Sequence, residues 1–410
     1  MKKTDQPIVT GKNNPIPYRK IRWKNTPQAR RILLVTLFLW ITILAIHPNT
    51  LLAQAIPHVR ITGIVTDAST GKPLHSVNVF LANTTLGCAT DENGLYVIAK
   101  VPLGNYDLIA SMMGYELKEE SIRLTESTDR VFNVKLRPKI LMGEEITIVV
   151  SRPHEWKKNL KKFEGIFLGT SENASQCEIL NPEVIDFKSD DTRGIFRAST
   201  NQPLQLENRA LGYRIDFTLR DFTFYQNGSV NFLGRARYEP LFPKDEREEK
   251  KWIENRLEAY HGSLRHFLVA AISNHLWEEG FLAYNVSALP GSSEEIFFGK
   301  AKVEHFISAG AFPFERTLIF PHYLKVIYTK ESVSREYIWY NIGKTSGLSQ
   351  GSGAQGKGGE ATEQTSWLEI NLKPVTINIS GHVYNPYSIT TYGYWAWERV
   401  AEQLPLDYLP

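Results

Sequence analysis

The chain reads as mainly β with α+β character, on three observations. From Val59 to Leu136, short alternating apolar runs are separated by Gly, Pro, Asn and Asp roughly every 8–12 residues, the pattern of a small all-β sandwich. Beyond residue 152 more strand-like runs recur, the clearest being Tyr213-Arg214-Ile215-Asp216-Phe217-Thr218-Leu219 with its period of two. Between Lys244 and Gly280 the period changes to that of amphipathic helices.

Residues 1–55 precede the first strand and read as a targeting segment. Nine of the 47 Lys and Arg lie there (Lys2, Lys3, Lys12, Arg19, Lys20, Arg22, Lys24, Arg30, Arg31) against one acid, Asp5, so the rest of the chain is acidic by five charges. A mildly acidic body lacks the basic footprint that nucleic acid needs. After Arg31 come fifteen uncharged residues, Ile32–Ile46; Pro48 breaks the run, and Ala53-Gln54-Ala55 has the small-x-small form of a signal-peptidase site. Two readings stand: a signal peptide cleaved after Ala55, or an N-terminal membrane anchor through 32–46. The run is short against the ~20 residues of a full span, which favours cleavage, although the basic region is long for a signal. No Cys near Ala55 offers a lipid attachment point, and no later segment is apolar enough to span a membrane as a helix.

Residues 56–152 carry the sandwich. Strands are expected at Val59–Asp67, Val77–Leu81, Leu95–Lys100, Tyr106–Met113, Ser121–Leu124, Arg130–Leu136 and Glu145–Val150. Asp91-Glu92-Asn93-Gly94 reads as a tight turn, because Asn and Gly tolerate positive φ. The same oxygens could hold Ca²⁺, but an isolated Asp-x-Asn-Gly lacks the other acidic ligands of a calcium loop. Cys88 and Cys177 fall in different regions and read more simply as two unpaired thiols than as a disulfide.

The residues of this segment resemble a known family. Gly63-Ile64-Val65-Thr66-Asp67 with Thr70-Gly71-Lys72-Pro73-Leu74, then Thr90-Asp91-Glu92-Asn93-Gly94-Leu95-Tyr96, then Val101-Pro102-Leu103-Gly104-Asn105-Tyr106-Asp107-Leu108 are similar to the carboxypeptidase regulatory-like domain. The resemblance implies a seven-stranded transthyretin-like β-sandwich with a support or binding role. It brings no catalytic residues. Segments of the second region, Asn208–Tyr213, Trp252–Arg256, Tyr260–Leu268 and the closing Gly393–Tyr408, are similar to the bodies of Bacteroidota proteins named only for that domain, which adds no activity.

Residues 153–410 read as an α+β region. Strands are expected at Gly194–Ala198, Tyr213–Leu219, Val230–Arg237, Ala301–Ile307, Leu324–Tyr328, Arg335–Tyr340, Trp367–Leu372 and Val375–Ile379. A helical hairpin interrupts them. Its first helix, Lys244–Tyr260, would turn Trp252, Ile253, Leu257 and Tyr260 to one side. Gly262 breaks it, and Ser263 can cap a second helix with the stripe Leu264, Phe267, Leu268, Ala271 and Ile272, ended by Gly280. A Gly/Ser-rich stretch, 343–364, reads as a flexible loop between two strands of one sheet. Gly393–Val400 reads as a short helix stopped by Pro405.

Little catalytic chemistry is visible. His275-Leu276-Trp277-Glu278 has the His-x-x-Glu form of a zinc peptidase, with His382 as a third ligand at a tolerable distance. Ten His in a chain of this composition give about 0.8 such matches by chance, so the motif carries almost no weight. On a helix reaching Gly280, His275 would lie inside the apolar stripe as a core histidine. Ser263 and His266 stand one turn apart, the spacing of a nucleophile and its base, but no Gly-x-Ser-x-Gly elbow surrounds the serine. Arg265 and His266 offer an anion site at a helix start. Tyr384, Tyr387, Tyr392, Tyr394, Trp395 and Trp397 suit either core packing or a binding face. No catalytic, cofactor-binding or metal residue is assigned, and no cofactor is expected. The chain is expected to be an exported, non-catalytic cell-envelope protein of the periplasm, outer membrane or cell surface. Its partner would be an envelope protein or glycan, and nucleic acid is not expected. The alternatives are a hydrolase with its site in 153–410 and an outer-membrane-associated component.

Overall fold

The computed structural model describes residues 58–139, 154–289, 296–347 and 363–410. The leader and the strand expected at Glu145–Val150 lie outside these residues. Among them no helix is long and apolar enough to cross a membrane.

The sandwich comprises β1 (His58–Asp67), β2 (Asn78–Leu81), β3 (Gly87–Ala89), β4 (Leu95–Pro102), β5 (Gly104–Ser111), β6 (Lys118–Leu124), β7 (Arg130–Val131) and β8 (Val134–Leu136). One sheet runs β4-β1-β7, with β8 also on β1; the other runs β3-β2-β5-β6. Alternation along β1 turns Val59, Ile61 and Val65 inward against Val79, Leu81, Leu108 and Leu124. Burying each such side chain is worth roughly 1.5–3 kcal/mol. The run expected as one strand at Arg130–Leu136 is two, because Asn133 leaves the ladder and its Oδ1 accepts the Ile64 amide at 3.0 Å. The expected turn is present: Asp91 Oδ1 accepts the amides of Asn93 and Leu95, both at 2.8 Å. Gly94 sits at φ +72°, where a Cβ would stand 2.6 Å from the Val65 carbonyl oxygen.

The second region holds two further cores. The first is built on α1 (His154–Phe167) and β9 (Cys177–Ile179), β10 (Ile185–Asp190), β11 (Ile195–Thr200), β12 (Leu204–Asn208), β13 (Tyr213–Tyr225) and β14 (Val230–Pro240). The sheet order is β10-β11-β13-β12-β9, with β14 beside β13. Helix α1 is lysine-rich, and its i,i+4 pair Phe163 and Phe167 fills the core. Their rings meet Phe222 at 4.7 Å and Phe217 at 5.1 Å in edge-on contacts.

The hairpin follows as α2 (Glu246–Tyr260) and α3 (Leu264–Ile272). Asp245 caps α2 through the Arg247 and Glu248 amides. The buried side of α2 is Trp252, Ala259 and Tyr260, while Ile253 is 55% exposed and Leu257 38%, which corrects the expected face. The reason is polar. Trp252 Nε1, Asn255 Nδ2 and Arg256 Nε donate to the carbonyls of Arg209, Ala210 and Leu211 at 2.7, 2.8 and 2.7 Å, so the helix docks by gripping a turn. Helix α3 begins as expected, with Ser263 accepting the His266 amide. It ends at Ile272 rather than near Gly280. Asn274 adopts φ +58°, a conformation asparagine tolerates, and the chain leaves the helix there.

The third core combines α3 with β15 (Phe281–Val286), β16 (Phe297–Lys300), α4 (Val303–Phe306), β17 (Ile307–Ala309), β18 (Glu315–Leu318), β19 (Tyr323–Ser332), α5 (Arg335–Gly347), β20 (Glu363–Ile370), β21 (Val375–Asn378), β22 (Ile389–Gly393) and α6 (Tyr394–Trp397). One sheet runs β16-β15-β19-β20-β22 and a smaller one β17-β18-β21. Two expected strands are corrected. Ala301–Ile307 contains α4, and Arg335–Tyr340 opens α5, because Ser334 Oγ accepts the Tyr337 amide at 3.1 Å and nucleates a turn. The Gly/Ser-rich stretch begins inside α5, and 348–362 lie outside the described residues. The stretch continues from α5 rather than from β19, so the expected link between two strands includes a helix; β19 and β20 themselves pair antiparallel in one sheet.

A polar seam fastens the sandwich to the second region. The Asn83 amide donates to the Ala236 carbonyl at 2.6 Å, and Asn83 Oδ1 accepts the Ala236 amide at 3.0 Å. Arg235 pairs with Asp107 at 2.7 Å and Glu119 at 3.2 Å, and Asn105 Nδ2 donates to Glu315 Oε1 at 2.8 Å. The C-terminal tail joins in, with Asp407 accepting from the Thr85 amide at 2.8 Å.

Candidate functional site

The residues singled out by sequence have structural partners. Ser263 Oγ accepts the His266 amide at 3.2 Å and donates to the Tyr260 carbonyl at 2.6 Å, completing a helix cap. The His266 ring turns away from it: Nδ1 accepts the Gly262 amide at 3.2 Å and Nε2 meets Glu279 at 3.2 Å. Burial lowers the His266 pKa, with Glu279 opposing. Arg265 is not an anion site. Its guanidinium donates to the carbonyls of Ser380, Pro405, Leu406 and Tyr408 at 2.7–3.1 Å and clamps the C-terminal tail.

His275 is exposed on the turn after α3, not buried on its stripe, because the helix stops three residues earlier. His382 is displaced by burial to a pKa of about 4, with the charges of Arg265 and Arg235 adding to the effect. Among the described residues no three His, Cys, Asp or Glu side chains stand together as a metal site. Cys88 and Cys177 are unpaired, and burial raises the Cys177 thiol to about 12. Of the C-terminal aromatics, Tyr394, Trp395 and Trp397 are buried in the core, and Tyr387 is 46% exposed.

What the sequence does not announce is a cleft of about 150 Å³ where four distant segments meet. Helix α1 and the residues after it supply Gly165, Ile166, Gly169 and Thr170. The β13–β14 turn supplies Phe224 and Gly228, α5 supplies Tyr340, and the C-terminal segment supplies Trp397 and Arg399. Gly169 sits at φ +105°, and a Cβ there would stand 3.1 Å from Arg399 Cβ, so glycine lets the arginine pass the end of α1. Trp397 Nε1 donates to Thr170 Oγ1 at 3.0 Å, and the Ala401 amide to the Leu168 carbonyl at 3.2 Å, fixing the C-terminal wall. Arg399 is hydrogen-bonded by Tyr340, and burial lowers its pKa. Among the described residues no carboxylate pairs with it. No local motif marks Arg399; only the fold brings it to Phe224 and Tyr340.

Comparison with known proteins identifies the sandwich: residues 61–148 match the CarboxypepD_reg-like domain model, and the chain carries that domain there. No curated protein matches the chain. Among solved structures, the group B streptococcus pilus 2b backbone protein matches at 18% identity over 20% of this chain and 42% of that one, TM-score 0.18. An N-terminal interface mutant of the type II cohesin–X-dockerin complex from Acetivibrio cellulolyticus matches at 23% identity over 18% and 52%, TM-score 0.16. A putative carbohydrate binding protein from Bacteroides uniformis ATCC 8492 matches at 14% identity over 37% and 54%, TM-score 0.18. The chain spans less than two thirds of each, and likenesses this slight define no shared whole fold.

Proposed function

We propose that this is an exported, non-catalytic protein of the cell envelope, in which a carboxypeptidase regulatory-like sandwich is held rigidly on an α+β body that binds a ligand. The observation that carries the reading is that the candidate catalytic groups have other work. Ser263 caps a helix, His266 satisfies the Gly262 amide, and Arg265 holds four carbonyls. A group committed to backbone bonds is poorly placed to act on a substrate. The seam through Asn83, Arg235 and Asp407 supports the sandwich as a fixed support. Export is motivated by the leader alone. Its test is fractionation of producing cells with intact-mass measurement. The expected product is an envelope-associated chain beginning near Ile56; a full-length chain in the cytosol would reject export, and a full-length chain in the membrane would replace cleavage with anchoring.

A further inference from the structure

We infer that the cleft beside Arg399 is a binding site for a small carboxylate carried on an apolar or planar body. Arg399 is partly buried where it lines the cleft, and taking even part of a guanidinium out of water without an acidic partner is costly. Here, among the described residues, the Tyr340 side chain is its hydrogen-bonding neighbour and no carboxylate pairs with it. The guanidinium fork matches a carboxylate in two parallel bonds.

The surroundings narrow the ligand. The wall from α1 belongs to a helix carrying Lys157, Lys158, Lys161 and Lys162, and Lys162 Nζ lies 5.3 Å from the centre of the Phe224 ring that lines the cleft. Glu164 and Glu398 stand beside the cleft as well, so the cation that faces a ligand there is Arg399 rather than a general positive field. Much of the remaining lining is apolar: Ile166, Phe224 and the Trp397 ring. A ligand anionic at one end and apolar at the other satisfies both sides, whereas phosphate, anionic all round, would leave the apolar wall wet. An enclosed apolar cavity of this size takes one benzene ring. The backbone at Gly165 leaves room, since a Cβ there meets nothing within 4 Å.

The inference rests on the reading of this chain as a binding protein. The test is calorimetric titration of the full chain with benzoate, benzamide and inorganic phosphate. Benzoate should bind at least tenfold more tightly than benzamide, its uncharged isostere, and than phosphate. Arg399→Gln should abolish the preference for benzoate over benzamide. Gly165→Leu, a change that helix propensity favours and that fills the open side, should block all three without lowering the melting temperature. Titration with cyclohexanecarboxylate, anionic and apolar but not planar, then distinguishes a planar from a merely apolar body; its binding supports the site as well. Equal binding of benzoate and benzamide, tighter binding of phosphate, or binding of benzoate undiminished by Gly165→Leu would overturn it. None of these outcomes bears on the fractionation result, so failure of the carboxylate site and failure of the export reading are separable.

Discussion

Trp395 Nε1 donates to the Gly262 carbonyl at 2.7 Å, across 133 residues of sequence. The bond ties the C-terminal segment to the turn of the helical hairpin. That turn needs glycine: Gly262 is at φ +71°, and a Cβ there would stand 2.5 Å from Gln364 Oε1 and 2.8 Å from a Tyr328 ring carbon. Gly262→Ala should destabilise the protein by more than about 1 kcal/mol through strain and clash. Trp395→Phe should cost about 1–3 kcal/mol, because the Gly262 carbonyl loses its buried donor. Denaturant melts of the two variants check both values.

The seam predicts a second effect. Arg235 lies between Asp107 and Glu119 of the sandwich. Arg235→Ala removes both pairs and should lower stability by about 1.5–3 kcal/mol, the range for hydrogen bonds to charged groups. Arg235→Lys should recover only part of the loss, since a point charge cannot reproduce the fork. Calorimetry on both variants reads the difference.

Acid should weaken the fold through His382. Its folded pKa of about 4 lies below the ordinary histidine value of 6.5, so the folded state favours the neutral ring. The stability this supplies is present above pH 6.5 and is lost as pH falls from 6.5 through 4. His382→Asn should flatten melting temperature against pH across that window.

Glu398 acts with the opposite sign. Burial, then the charges of Glu402 and Glu331, raise its pKa well above 4.5. Its contribution is present at low pH and lost as pH rises through the raised value. Glu398→Gln should therefore raise the melting temperature at pH 8 and change it little at pH 4.5, as thermal melts at the two pH values would record.

His275 stands exposed, so His275→Leu should change stability by no more than about 0.5 kcal/mol in a denaturant melt. A larger loss would mean that the ring packs against a neighbour.

Much of the sandwich was legible because its signals are local: alternation along Val59–Asp67 and the Asp91–Gly94 turn reappear as β1 and a hydrogen-bonded turn. The Ser263 cap was legible for the same reason. Where reading failed, a tertiary or terminal effect won. Glu336-Tyr337-Ile338-Trp339 resembles a strand until Ser334 is seen to cap it. The face of α2 is chosen by carbonyls of the Arg209–Leu211 turn, which no hydrophobic pattern encodes. Helix α1 announces itself only by two phenylalanines among four lysines. The cleft at Arg399 was invisible, since its walls come from residues 165–170, 224–228, 340 and 397–399.

The claim that His275 and Glu278 form no zinc peptidase site is tested most directly by the zinc content of the purified full-length protein, measured by mass spectrometry of the metal. His275 is exposed on a turn, and no third ligand stands with it and Glu278 among the described residues. A catalytic zinc needs three converging protein ligands. The account predicts zinc far below one ion per chain, the same in wild type and His275→Leu. Stoichiometric zinc in the wild type, lost in His275→Leu together with a peptidase activity, would contradict it.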